Sequence, residues 1–545
     1  MSADAAEIAA SDAAALLVIA PPGTGKTELL ALRATHLIER LGPHQQILAL
    51  TFSNKARRNL GERLLRALGP ARFRRYVQVR NFHGHAAEIV RSHGRTLGLD
   101  PAFPMPDRRT LARALDAAAG TNYAARTAIE QALGEAKREP RDDAEVDALL
   151  AATNYQALPL ERNRVASGLV HYNDLLRHAQ RLLRVEQVAA LYQAHYGAVL
   201  VDEFQDLSWQ QLDIALRSCS ANRTFVGDPQ QGIYSWAGAR PLQVEAHLRQ
   251  LCGDAHALTV SYRSSPAVLN VVNAASAHLG AQPLRAAEPD AWPGGGAACA
   301  LAFDTGDAEA EAIVELCARI SQRHSAATIG VIVRAGWRRT SLDAAFERAP
   351  QVRHYRWDLA IDDAALAERL HQAYRALAKT ADIDALRPKV LDGIDPADVD
   401  TYQQALEALD LLAERAASAG SVAGAMDQLL IQPGDRPIEA GTHVLTAHTG
   451  KGQQFDWVII PGMEEGHIPA FQASTAEAIA EEQCVLHVML SRARHGIVLT
   501  CARQLTSHAG RPYTKERSRW WPLAAAPCTL DWNSLTAHID DQYKP

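Results

Sequence analysis

The segment Ala20-Pro-Pro-Gly-Thr-Gly-Lys-Thr27 restricts this chain more than any other feature. An apolar run, Ala14–Ala20, leads into it, and Thr27–Arg40 follows with helical spacing through Leu30, Leu37 and Ile38. Strand, loop and helix in that order form a Walker A phosphate-binding unit, here with Ala20 where the strict pattern has glycine. Phosphate oxygens are held by backbone N–H groups turned inward at the positive end of a helix. That geometry needs the conformational freedom of Gly23 and Gly25, with Thr24 between them. Lys26 adds a point charge for the outer phosphates, and the Thr27 hydroxyl is a ligand for Mg²⁺.

Two more segments carry polar groups to the end of an apolar run. Val199-Leu-Val-Asp-Glu-Phe-Gln-Asp206 ends a strand in two carboxylates. Asp202 suits a metal ion beside the phosphate loop, and Glu203 suits acceptance of a proton from an attacking water. Phe225-Val-Gly-Asp-Pro-Gln-Gln-Gly-Ile-Tyr-Ser-Trp236 brings Asp228 and Gln231 to the same edge, with Tyr234 and Trp236 next. From these residues alone, the two aromatics serve either as core or as platforms for stacked bases.

Further apolar runs at Ile47–Thr51, Leu258–Ser261, Ile329–Val333, Val444–Ala447, Trp457–Ile460 and Ile497–Thr500 alternate with helical stretches. This is the pattern of doubly wound α/β domains. It is interrupted between about Ala86 and Ala190, and again from about Ala344 to Gly434, by Ala-rich helical sequence. The expected layout is a first α/β domain at 1–88 and 190–257 carrying a helical insert at 89–189. A second α/β domain at 258–343 and 435–545 carries a shorter helical insert at 344–434.

The net charge of −6 excludes a passive nucleic-acid coat, so any polyanion must meet a local basic surface. One such surface is visible, since Ser53–Arg95 holds 11 Lys and Arg against Glu62 and Glu88. Arg503–Arg519 is also basic, with Arg511, Lys515 and Arg517 against Glu516. The seven cysteines form no CxxC pair, which argues against zinc, iron–sulfur clusters or a disulfide framework and fits a reducing cytoplasm. The histidine pairs His83/His85 and His171/His178 have no metal-ligand company. The N-terminus lacks a basic leader, and Pro21-Pro22 stops an apolar stretch too short to span a bilayer, so no membrane association is expected.

Taken in order, the segments resemble the UvrD/Rep/PcrA group of superfamily 1A helicases. Besides the three above, the matching stretches are Ile47-Leu-Ala-Leu-Thr-Phe-Ser-Asn-Lys-Ala56, Val79-Arg-Asn-Phe-His83 and Val260-Ser-Tyr-Arg-Ser-Ser265. Val444-Leu-Thr-Ala-His-Thr-Gly-Lys-Gly452, Phe455-Asp456 with Ile460–Pro469, and Val488-Met-Leu-Ser-Arg-Ala-Arg494 complete the set.

The resemblance implies two RecA-like P-loop domains that bind ATP and Mg²⁺ between them. It makes Tyr262 the adenine platform, Arg263 and Arg492 the γ-phosphate arginines, and Gln231 the sensor joining nucleotide and DNA sites. Phe52, Asn54, Phe82, His83, Tyr234, Trp236, Thr446 and His448 fall where the family lines its single-strand groove. The implied activity is a 3′→5′ helicase acting on single-stranded and tailed duplex DNA. Three departures stand out. The N-terminal glutamine motif that reads adenine is missing, Gln454 replaces the usual ribose-binding glutamate, and the second insert is short. No nuclease signature follows the last motif. The short insert also fits a DNA-stimulated ATPase subunit that senses DNA or loads a nuclease or other repair or anti-phage partner.

Overall fold

The computed structural model describes residues 3–105, 108–120, 122–235, 238–357, 359–361, 364–377, 382–394, 399–419, 421–427, 429–431, 438–507 and 510–541. Six strands build a first sheet: β1 Ala15–Ile19, β2 Gln46–Thr51, β3 Val77–Asn81, β4 Tyr196–Asp202, β5 Arg223–Gly227 and β6 His256–Ala257. They lie in the order β3-β2-β4-β5-β1-β6, every neighbouring pair parallel. The continuous apolar runs follow from burial on both faces. Leu17, Leu48, Leu50, Val199 and Val201 point to one core, and Leu16, Val18, Ile47, Ala49 and Leu200 to the opposite one.

A short pair, β7 Val260–Ser261 and β8 Arg285–Ala286, separates this sheet from a second one. The second contains β9 Ala297–Thr305, β10 Thr328–Val333 and β11 His354–Arg356. After β12 Leu359–Ile361 and β13 Leu429–Ile431, which pair only with each other, it resumes with β14 Gly441–Thr446, β15 Phe455–Ile460, β16 Ala493–Thr506 and β17 Pro512–Thr514. Its order is β11-β14-β10-β15-β16-β17, with β9 also along β16; only β17 is antiparallel. Again the runs alternate between two cores. Ile332, Leu445, Val458 and Ile460 serve one, and Val331, Val444, Trp457 and Ile459 the other.

Both sheets match the expected α/β class, and several details differ from expectation. Leu258–Ser261 is not a strand of the second sheet: β6 just before it closes the first sheet, and β7 pairs with β8. The second insert is not wholly helical, since β12 and β13 zip together within it. Its start is also later than 344, because β11 adds to the edge of the second sheet beside β14. Each insert has a small core of its own, around Leu115, Ile129 and Leu150 in the first and Leu370, Leu386 and Leu409 in the second. The helix Tyr172–Leu183, expected in the first insert, instead buries Leu175, Ala179 and Leu182 in the core of the first sheet.

Phe82 belongs to that same core. It starts the helix Phe82–His93, capped by the Asn81 side chain, and its ring is fully buried beside Ala86 and Ile89. In this position it offers no face to a groove, contrary to expectation. Truncation to alanine removes a buried ring and leaves a cavity, so Phe82→Ala should lower stability by about 3–5 kcal/mol. Urea unfolding checks this; unchanged stability with a selective loss of DNA affinity would contradict it. Among the described residues no helix is long and apolar enough to cross a membrane, and all seven cysteines are free thiols.

Candidate functional site

The polar groups singled out in the sequence surround one cleft of about 890 Å³ between the two sheets. From the first sheet come the loop after β1, with Gly23, Gly25, Lys26 and Thr27, then Asp202 and Glu203 after β4 and Gln231 after β5. The second half contributes Tyr262 and Arg263, Gln454 just before β15, and Arg492 just before β16.

The phosphate loop needs its glycines. Gly23 has φ 80°, and a Cβ there would lie 2.5 Å from the Arg263 Cβ. The second half thus presses directly on the loop, and the Tyr262 N–H donates to the Gly23 carbonyl at 2.8 Å. Gly25, at φ 92°, precedes the helix Lys26–Ile38. Thr24 is buried and turns its hydroxyl to the Pro21 carbonyl at 2.8 Å, so it braces the loop and does not line the cleft. Free N–H groups at this helix start form an anion site.

Lys26 Nζ donates to Glu203 Oε2 at 3.0 Å, and Gln205 Nε2 donates to the same oxygen at 2.7 Å. Glu203 itself sits at φ 55°, a strained backbone conformation for a residue with a side chain and one found mostly at functional positions. Burial works to raise its pKa, yet Lys26 and Lys451 hold it below the ordinary carboxylate value. Asp202 moves the other way. Burial and then the charge of Glu203 push it up to about 7, against the pull of Lys26. A cation beside Asp202 and Thr27 would relieve that penalty, so the pair fits Mg²⁺. Among the described residues no cluster of three or more His, Cys, Asp or Glu surrounds it. Such a cation would draw its remaining ligands from phosphate and water.

Opposite stand two guanidiniums. Arg492 is only 2 % exposed and donates to the Val488 carbonyl at 2.9 Å, Ser491 Oγ at 2.9 Å and Gln231 Oε1 at 3.3 Å. Arg263 donates to the Ser491 carbonyl at 3.3 Å. Burial and mutual repulsion lower Arg492 to about 9, and burial with Arg494 lowers Arg263 to about 10. Among the described residues neither guanidinium forms an ion pair with a carboxylate, and two such cations facing one cleft create a strong demand for an anion. Gln231 joins the halves, since its Nε2 donates to Asp228 Oδ2 at 2.9 Å while its Oε1 faces Arg492. Tyr262 remains 46 % exposed at the cleft, a free aromatic face.

The same cleft is also lined by an aromatic stack. The Phe52 and Tyr234 rings are 5.5 Å apart and 14° from parallel, and His448 is tilted 6.4 Å from Tyr234. Three of the other residues expected in a groove make contacts within the protein. Asn54 is buried and accepts from Asn81 Nδ2 at 2.8 Å, and His83 stacks on Tyr172 at 3.9 Å. Burial lowers His83 to about 3, so its ring is neutral. Thr446 bonds Thr449 at 2.9 Å, and Trp236 lies outside the described residues.

The sequence reading passed over Lys451. From the second half its Nζ reaches Asp206 at 2.7 and 2.8 Å and the Gln231 carbonyl at 2.8 Å, and sits 4.5 Å from the Tyr234 ring center. Burial raises Asp206 to about 6 in spite of this lysine. Lys451 lies in the segment Val444–Gly452, and Asp206 closes Val199–Asp206. Nothing in either segment says that they meet.

Two family models match the chain: the UvrD/REP helicase N-terminal domain over residues 1–250 and the UvrD-like helicase C-terminal domain over 434–504. The chain belongs to the UvrD/Rep helicase family. The family gives its two parallel sheets their description as RecA-like domains. Among its relatives, the ATP-dependent DNA helicase PcrA of Leuconostoc citreum is 33% identical over 287 residues, 48% of this chain and 37% of that protein. The ATP-dependent DNA helicase Rep of Escherichia coli is 30% identical over 280 residues, 47% of this chain and 40% of Rep. DNA helicase II of Escherichia coli is 28% identical over 295 residues, 49% and 39% of the two chains. The match to this UvrD/Rep chain therefore spans about two fifths of these relatives' length.

Proposed function

We propose that the protein hydrolyses ATP between its two RecA-like domains to move along single-stranded DNA and unwind duplex with 3′→5′ polarity. The observation that carries this reading is the meeting of Arg263 and Arg492 with Lys26, Asp202 and Glu203 in one cleft. The phosphate loop with Lys26 holds the triphosphate, and Tyr262 and Gln454 flank the nucleoside. Thr27 and Asp202 would hold Mg²⁺, which would supply positive charge against the phosphates. Glu203 accepts a proton from water as its oxygen bonds the γ-phosphorus and the bond to the β-phosphate oxygen breaks. Arg263 and Arg492 stabilise the negative charge on the transferring group.

Because the arginines come from the second domain, hydrolysis depends on closure and each turnover can shift one domain against the other. The two units of this motor are the expected 1–88 with 190–257, joined by the helix Tyr172–Leu183, and 258–343 with 435–545, joined by β11. The Phe52–Tyr234–His448 stack is the gripping surface for bases, and Gln231 and Lys451 link it to the nucleotide. The names of the matched relatives, ATP-dependent DNA helicases, support DNA as the substrate.

The test is displacement from duplexes with a 3′ or a 5′ single-stranded tail. Unwinding of the 3′-tailed duplex alone is expected, and preference for the 5′ tail would refute the polarity. The compact second insert favours one alternative, a DNA-stimulated ATPase that senses DNA or loads a partner nuclease in a repair or anti-phage complex. In that case the purified chain would hydrolyse ATP on single-stranded DNA but displace neither strand without its partner.

A further inference from the structure

The loop that follows Gln231 is gripped by the second domain at three points. Lys451 binds the Gln231 carbonyl and covers Tyr234, His448 leans on the Tyr234 ring, and Glu481 takes Ser235. The first two contacts suit a surface for a polyanion. The third does not. Glu481, on the helix Ala476–Leu490, accepts from the Ser235 N–H at 3.3 Å through one oxygen and from the Ser235 hydroxyl through the other. Its neighbour Glu482 is neutralised by Arg334 at 2.9 Å, whereas among the described residues no lysine or arginine pairs with Glu481.

We infer that Ser235 is a phosphate subsite of the strand groove and that Glu481 competes with the phosphate for its two donors. The inference rests on the strand-binding reading above. A base stacked against Phe52 and Tyr234 carries its backbone phosphate within reach of the next residue in the chain. Ser235 there offers an N–H and an O–H on one side. A carboxylate presents two oxygens and a negative charge as a phosphate does, and it fills both donors. DNA must therefore displace Glu481, and the displaced carboxylate then stands beside a polyanion. The contact thereby lowers the affinity for a strand.

The experiment is fluorescence anisotropy of a labelled oligodeoxythymidine at low salt, with the full chain. Glu481→Gln keeps the shape but loses the charge and should bind about tenfold tighter than wild type. Glu477→Gln, at an exposed position on the same helix, controls for the general removal of negative charge and should change affinity by less than about twofold. Adding Ser235→Ala to Glu481→Gln should take back about fivefold, because the hydroxyl donor is then gone. Affinity of Glu481→Gln equal to or below wild type would overturn the inference, as would an equal gain from Glu477→Gln or a gain that Ser235→Ala leaves intact. In each of those cases, measurable binding by the wild type leaves the strand-binding reading standing. No binding by any variant would remove both.

Discussion

Lys26→Ala is expected to cut ATP hydrolysis in the presence of single-stranded DNA by about a thousandfold or more. Two effects combine. The phosphate loop loses its own lysine charge, so the triphosphate is left to backbone N–H groups and the arginines opposite. Glu203 also loses the cation 3.0 Å from its carboxylate, which leaves only Lys451 and Gln205 to oppose the burial that works to raise its pKa. A base that has gained a proton cannot take another from water. Phosphate release in the steady state reads the loss directly. A Lys26→Ala protein within a few-fold of wild type would remove the lysine from the proposed chemistry, however well the loop folds.

Arg492→Ala should lose about 10³- to 10⁵-fold in turnover, the range observed when an arginine finger is removed. Nucleotide affinity should change far less, since the loop, Lys26 and Tyr262 still hold the ground state. The side chain is buried, is fixed by the Val488 carbonyl and Ser491, and touches Gln231. Protein contacts alone thus fix its aim. Lysine cannot reproduce these divergent donors, so Arg492→Lys should not restore the rate. Stopped-flow binding of a fluorescent ATP analogue alongside turnover separates the two effects. Equal loss of binding and turnover would make Arg492 a simple anion anchor.

The nucleotide half of the site was legible in the sequence because its residues sit in short segments whose strand–turn settings fix where they point. A continuous apolar run such as Val199–Asp202 declares a buried parallel strand, and the polar residue that ends it must emerge at the sheet edge. Strands without that signature were missed. β3 is an edge strand with only its end residues buried, and β9 is built largely of alanine, a weak strand former. β12 and β13 are three residues each, too short to show a period.

The groove was less legible because an aromatic in a motif looks the same whether it faces solvent or core. Phe52 and Phe82 each sit in a matching segment; one joins the stack, and the other closes the core behind it. Contacts made across the two domains, Lys451 to Asp206 and Glu481 to Ser235, join positions about 245 residues apart. No local pattern encodes such a pair; only the packing of one domain on the other creates it.

In the proposed function one cleft, assembled from both domains, hydrolyses ATP in step with strand binding. Steady-state hydrolysis of ATP by the purified chain, with and without saturating oligodeoxythymidine, reads that coupling. The oligonucleotide should raise the rate at least about tenfold, and the rise should disappear in Arg492→Ala. A rate indifferent to DNA, or a stimulation that survives without Arg492, would contradict it.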